Sequence, residues 1–185
     1  MALNIAVIVG SLRAGSFTRK TAKALIALAP DSLGCAIVEI GDLPLYNQDL
    51  ETETPPPEWV AFRDAIRPVD GVLFATPEYN RSVPGVLKNA IDVGSRPYGK
   101  SVWSKKPCAI ISVSPGAIGA FGANHHLRQS LVFLDMPAMQ QPEAYVGGAA
   151  NLLDEHDELK ADATRDFLKG FMQAFAAWVE THAAH

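Results

Sequence analysis

Short apolar runs alternate with amphipathic stretches along most of this chain. "LNIAVIV" (3–9) is rich in β-branched residues and ends at Gly10, the pattern of a buried strand. Residues 17–29 put Phe17, Ala22, Leu25, Ile26 and Ala29 on one helical face, and Pro30 stops that helix. "CAIVEI" (35–40) predicts a second strand, and the proline-rich stretch 41–57 a loop. A helix over 58–66 precedes Pro68, and a third strand, "GVLFAT" (71–76), is closed by Pro77. Residues 84–95 start at a proline and finish at a glycine and serine, the expected punctuation of a helix. A fourth strand follows at 107–114 and a fourth helix at 122–135. "PAMQQP" (137–142) offers a short fifth strand. The last segment, 152–181, spaces Leu159, Ala163, Phe167, Phe171, Phe175 and Trp178 as the core-facing stripe of a long helix.

Strands that alternate with helices imply a parallel sheet covered on both faces, and such strands read as unbroken apolar runs, as these do. The expected fold is therefore α/β: a three-layer, doubly wound domain spanning 1–185, with helices on both faces of five parallel strands in the order 2-1-3-4-5. A length of 185 residues suits one domain, and 48% apolar with 19% charged residues supplies a well-filled core. The net charge of −4 provides no basic footprint for nucleic acid, and no apolar run reaches the roughly 18 residues of a membrane span. Cys35 and Cys108 fall in separate strand-like runs and form no C-x-x-C pair, so they read as small core residues of a chain with a reducing, cytoplasmic home. His125 and His126 are adjacent and point apart on a helix, which prevents them from chelating one metal. No metal site and no catalytic triad are expected.

Ligands of such sheets sit beyond the carboxyl ends of the strands, near the switch point between strands one and three. That geometry selects the loops at 10–16, 76–83 and 114–121. The first, "GSLRAGS", opens onto a helix N-terminus, where free N–H groups and the helix dipole favour an anion. Ser11, Ser16 and Thr18 add hydroxyl donors, and Arg13 can give a forked, charged contact. The set suits a terminal phosphate monoester; it lacks the lysine of a triphosphate loop and the glycine spacing of a dinucleotide fingerprint. The same residues would equally serve as a plain helix cap with a solvated arginine. In the second loop Pro77, Glu78, Tyr79, Asn80 and Ser82 form a stiff polar segment with one aromatic, fit to meet the edge of a planar ring. The third brings Ser114, Pro115 and Gly116 to the ring's far side. Phosphate at one end and a ring between the other loops describe a mononucleotide, and flavin mononucleotide (FMN) fits best.

Three stretches, "GSLRAGSFTRKTA", "TPEYNRSVPGVLKNAIDVGSRP" and "SPGAIGAFGANHHLRQSLVFLDMP" with the following "QQPEAY", closely resemble the flavodoxin-like NADPH-dependent FMN reductases, in particular their quinone and chromate reductase branch. The resemblance implies non-covalent FMN with Ser11, Arg13, Ser16, Phe17 and Thr18 around its phosphate. Pro77, Glu78, Tyr79, Asn80 and Ser82, with Ser114, Pro115 and Gly116, then surround the ring. Many members have asparagine in place of Thr18, and many carry an arginine after Gly119 where this chain reads "AFGANHH", so either NADPH or NADH is the expected donor. The implied reaction is hydride transfer from NAD(P)H through FMN to quinones or other small acceptors (flavin, azo compounds, chromate-like oxyanions) by ping-pong kinetics. The flavin carries that chemistry, so no side chain is needed as nucleophile or base. His125, beside the third loop, is the histidine best placed to meet an acceptor. A flavodoxin-like carrier or a redox sensor is the alternative, although carriers are usually more acidic than −4. Tyr98 and Trp103 lie in a polar connection with little local core, and Leu131, Val132, Phe133 and Leu134 point all round the fourth helix. These imply a homodimer or homotetramer with the flavin near the subunit interface.

Overall fold

The side-chain alternation of the strands sorts the core into two layers. In a computed structural model describing residues 2–183, the strands are β1 (Leu3–Val9), β2 (Leu33–Val38), β3 (Gly71–Thr76), β4 (Cys108–Val113) and β5 (Ala144–Val146). They form one parallel sheet in the order β2-β1-β3-β4-β5. The helices are α1 (Phe17–Ala27), α2 (Pro57–Ile66), α3 (Gly85–Gly94), α4 (Phe121–Phe133) and α5 (Asp162–His182). Ile5, Val7, Val9, Leu73, Ala75, Ile111 and Val113 point to one face and pack with Leu25 of α1 and Leu168, Phe171 and Phe175 of α5. Ala6, Ile8, Val72, Phe74 and Ile110 point to the other and meet Trp59, Leu87, Leu127 and Leu131 of α2, α3 and α4. Each large apolar side chain so buried contributes about 1.5–3 kcal/mol.

Three expectations are corrected. The fifth strand lies at Ala144–Val146, not at 137–142. Pro137 and Pro142 lack the N–H that a ladder needs, so the earlier stretch makes only an isolated bridge between Ala138 and Cys108. The last helix begins at Asp162 rather than near 152, because the Asp154 carboxylate accepts the N–H groups of His156 (2.8 Å) and Glu158 (2.9 Å) and closes a turn. Its buried stripe is Leu168, Phe171, Met172, Phe175, Ala176 and Val179, while Phe167 is exposed. Trp103 is fully buried rather than exposed: its indole N–H donates to Ile91 O at 2.9 Å, and its ring lies where a Cβ on Gly94 would be 2.5 Å away. Tyr98 is 85% exposed, as expected of its connection.

The loop between β2 and α2 is strapped onto the helices by side chains. Asn89 of α3 accepts from Tyr46 N (2.8 Å) and donates to Leu43 O and Pro44 O, and Trp59 Nε1 donates to Pro44 O at 2.9 Å. Arg63 donates to both Glu51 carboxylate oxygens (2.9 and 2.6 Å) and, through Nε, to Val93 O. That buried pair is satisfied at every nitrogen it uses, which limits its desolvation cost. No helix among the described residues is long and apolar enough to cross a membrane.

Candidate cofactor site at the carboxyl edge of the sheet

Gly10 ends β1 at the place where the first two loops meet. Its N–H donates to Ala75 O (2.8 Å), and a Cβ there would stand 3.1 Å from Leu87 and 3.3 Å from Pro77. The chain then passes Arg13, which is exposed, and enters α1 through Ser16 in an extended conformation. Ser16 Oγ accepts the N–H of Arg19 at 3.1 Å, so it caps the helix, as the plain reading of this loop anticipated. Ser11 and Thr18 are buried, and Phe17 is half-buried beneath the same turn. Among the described residues the hydroxyls of Ser11 and Thr18 and the Arg13 guanidinium make no hydrogen bond within the chain. The N–H groups of Phe17 and Thr18 belong to the first turn, which has no helical acceptor. Two hydroxyls, a guanidinium and a positive helix end are thus left over within one short stretch, residues 11–18. This donor set fits a dianionic phosphate.

The second loop turns sharply over four residues. Tyr79 and Ser82 exchange N–H···O bonds of 3.2 and 2.9 Å, and Asn80 and Arg81 between them have φ of 50° and 65°. Two successive left-handed residues inside a doubly bonded turn make it type I′, which is unusual without glycine. Tyr79 is 55% exposed at its base. The N–H groups of Asn80 and Arg81 have no partner among the described residues. Glu78 bridges the turn and α4: Oε2 accepts Ala123 N of α4 at 3.0 Å, and Oε1 lies 3.6 Å from Arg81 Nη1. Ser82 Oγ shares a 3.0 Å hydrogen bond with His126 Nδ1, its direction set by the imidazole tautomer.

The third loop is held from below. Ser114 donates its hydroxyl to Gly116 O (3.1 Å), leaving Pro115 and Gly116 exposed. Gly147 approaches so closely that a Cβ would lie 2.5 Å from Ala117 O. Beneath it runs a buried polar chain that no sequence motif announced. Arg128 Nε donates to Asn124 Oδ1 (3.0 Å), Asn124 Nδ2 to Ser112 Oγ (3.2 Å), and Ser112 Oγ to Gly119 O (2.7 Å). The one available signal was a serine inside an apolar strand facing an asparagine on a helix.

His125 and His126 diverge. His125 Nε2 lies 3.0 Å from Tyr145 OH, and its ring is 4.2 Å from that of Phe121. Burial, with lesser help from Glu143, pushes the Tyr145 phenol up to about 12, so it stays neutral. The structure thus brings the three sequence-selected loops to one edge. It also commits four expected ligand side chains to internal partners: Ser16 to a cap, Glu78 to α4, Ser82 to His126 and Ser114 to Gly116 O.

The family described as NADPH-dependent FMN reductase matches residues 3–151. A quinone reductase of Pseudomonas putida is 66% identical over 181 residues, covering 98% of this chain and 97% of that one. A 2-hydroxy-1,4-benzoquinone reductase of a Burkholderia species is 49% identical over 179 residues, covering 97% of each. Among solved structures, the flavoenzyme NAD(P)H:(acceptor) oxidoreductase FerB of Paracoccus denitrificans superimposes with a TM-score of 0.93 at 42% identity, over 99% of this chain and 100% of that one. Sequence and fold agree along the whole length in which the three loops lie, and the chain belongs to the NADPH-dependent FMN reductase family.

Proposed function

We propose that this chain is a single-domain NAD(P)H:quinone oxidoreductase that holds FMN at the carboxyl edge of its sheet. The observation that carries the reading is the unused donor set at the start of α1, with two rigid, polar loops beside it. Ser11, Arg13, Ser16, Thr18 and the backbone of Phe17 hold the phosphate. The segment Pro77, Glu78, Tyr79, Asn80 and Ser82 meets one ring edge, with the free N–H groups of Asn80 and Arg81 as donors. Ser114, Pro115 and Gly116 border the opposite side. FMN, when bound, supplies two-electron chemistry that accepts hydride from NADPH or NADH and passes it on. The residues bind and orient; none is assigned a proton-transfer role. Quinones are the proposed acceptor class, in keeping with the relatives' names, with flavins, azo compounds and oxyanions as further acceptors of an open site.

The proposed working form is a cytoplasmic homodimer or homotetramer. Val132 and Phe133 are 78% and 77% exposed on α4, and Phe133 with Leu134 and Ile91 lines a cleft between α3 and α4. An exposed phenylalanine and valine beside a cleft of mixed polar and apolar lining suit a self-complementary contact. The deciding experiment for the function is the visible spectrum of the purified protein. A flavin spectrum that bleaches with NADPH or NADH and returns on adding a menadione-like quinone is expected. A colourless protein that binds no added FMN would overturn the reading.

A further inference from the structure

Helix α4 lacks a cap of its own. Its N-cap residue is Ala120, in a left-handed conformation (φ 57°), with no side-chain hydrogen bond to the first turn. The missing acceptor comes from another loop: Glu78 places a carboxylate oxygen 3.0 Å from Ala123 N, where the helix dipole favours negative charge. The turn after Glu78 is conformationally costly, because Asn80 and Arg81 both carry Cβ atoms at positive φ. Such a turn keeps its shape only when its surroundings hold it. One tie is the pair of backbone bonds between Tyr79 and Ser82, and a second is the Glu78 cap. The third is His126, one turn further along α4, whose Nδ1 reaches Ser82 Oγ at 3.0 Å. The two surfaces touch so closely that a Cβ on Gly122 would lie 2.8 Å from Arg81 O.

We infer that His126 is a positioning residue for the flavin ring: with Glu78 it clamps the 77–82 loop to the start of α4, fixing the two ring-side walls relative to each other. The inference rests on the reading that FMN binds here. The third loop runs directly into α4 through Gly119 and Ala120, so a clamp on α4 ties the second loop to the third. The first loop has its own anchor in α1 and is not part of this unit. Loss of the clamp therefore loosens the ring end of the site and leaves the phosphate end intact.

The test is flavin binding to apoprotein, read by fluorescence quenching with FMN and with riboflavin, which lacks the phosphate. His126→Ala should weaken both ligands by the same factor, about three- to tenfold for one lost hydrogen bond. Ser82→Ala, which also removes a group placed at the ring edge, should weaken both by at least as much, and the double variant should lose no more than Ser82→Ala alone, since His126 acts only through that hydroxyl. His126→Asn, whose amide can still meet Ser82 Oγ, should recover most of the affinity. Melting temperatures serve as the folding control for each variant. Unchanged affinity in a folded His126→Ala, a loss confined to FMN, or additive losses in the double variant would each overturn the clamp while leaving FMN binding in place. A wild-type protein that binds neither flavin would instead remove the FMN reading, and the clamp with it.

Discussion

Arg13→Ala separates ligand binding from folding at the first loop more cleanly than any other change there. The guanidinium is exposed and has no hydrogen-bond or ion-pair partner among the described residues, so the folded chain loses no contact. Surface substitutions of that kind stay within about 0.5 kcal/mol, and for a chain of this size that is a melting shift of about 2 °C or less. A charged hydrogen bond to phosphate is worth about 1.5–3 kcal/mol, and solvent around Arg13 favours the lower end, or roughly tenfold in Kd. Ser16→Ala is the informative comparison. It removes the cap accepted from Arg19 N (3.1 Å), which costs about 1 kcal/mol, or roughly 2–4 °C in melting temperature, on top of any effect on binding. Fluorescence titrations with FMN and riboflavin, paired with thermal melts of the apoproteins, read both quantities. Arg13→Ala should weaken FMN alone, and its effect should shrink as salt rises. Equal wild-type affinities for FMN and riboflavin, or an Arg13→Ala loss shared by both, would refute the phosphate assignment.

Steady-state rates with NADPH and a small quinone should give parallel double-reciprocal lines, since donor and acceptor exclude each other; intersecting lines would show a ternary complex. Phe133→Glu places a charge in the exposed apolar patch on α4 and should shift the species seen by light scattering toward monomer; an unchanged oligomer would move the interface elsewhere. Burial pushes the Cys35 thiol up to about 11 and the Cys108 thiol up to about 12 from an ordinary 9.0, so both stay protonated when folded after their unfolded counterparts ionise. The thiols' contribution should therefore be constant below about pH 8 and stability should fall through them above about pH 9, by up to about 1.4 kcal/mol per pH unit for each thiol, and denaturation at fixed alkaline pH steps would show it. A Cys108→Ala variant that declines as steeply as the parent would disprove that thiol's share.

Local pattern decided most of the elements. The apolar runs at β1, β3 and β4 are buried on both sides over most of their length, and a strand in that position is apolar at nearly every residue, so alternation and burial leave one reading. Prolines and glycines marked the ends of α1 and α3 because they act on the backbone directly. The errors fell where neighbours outvote local preference. Residues 137–142 are apolar enough for a strand but have prolines at both ends. Residues 152–161 carry helical spacing, yet Asp154 draws two backbone donors into a turn. Trp103 seemed uncovered because Gly94, which makes room for its indole, sits nine positions earlier on another element.

The sequence by itself determined the parallel sheet and its strand order, and so the edge proposed for the ligand, because strand burial and βαβ handedness leave few other arrangements. It also placed the donors of the first loop, since a helix start with hydroxyls and an arginine is a local feature. Only the tertiary structure decided which of those polar groups remain free for a ligand. Ser16, Glu78 and Ser82 have the chemistry of ligands, but each already has a partner, and for Glu78 and Ser82 that partner lies more than forty residues away. The Arg128–Asn124–Ser112 chain under the third loop was hidden for the same reason. A hydrogen bond depends on distance and angle in space, and sequence spacing sets those only within one turn or helix.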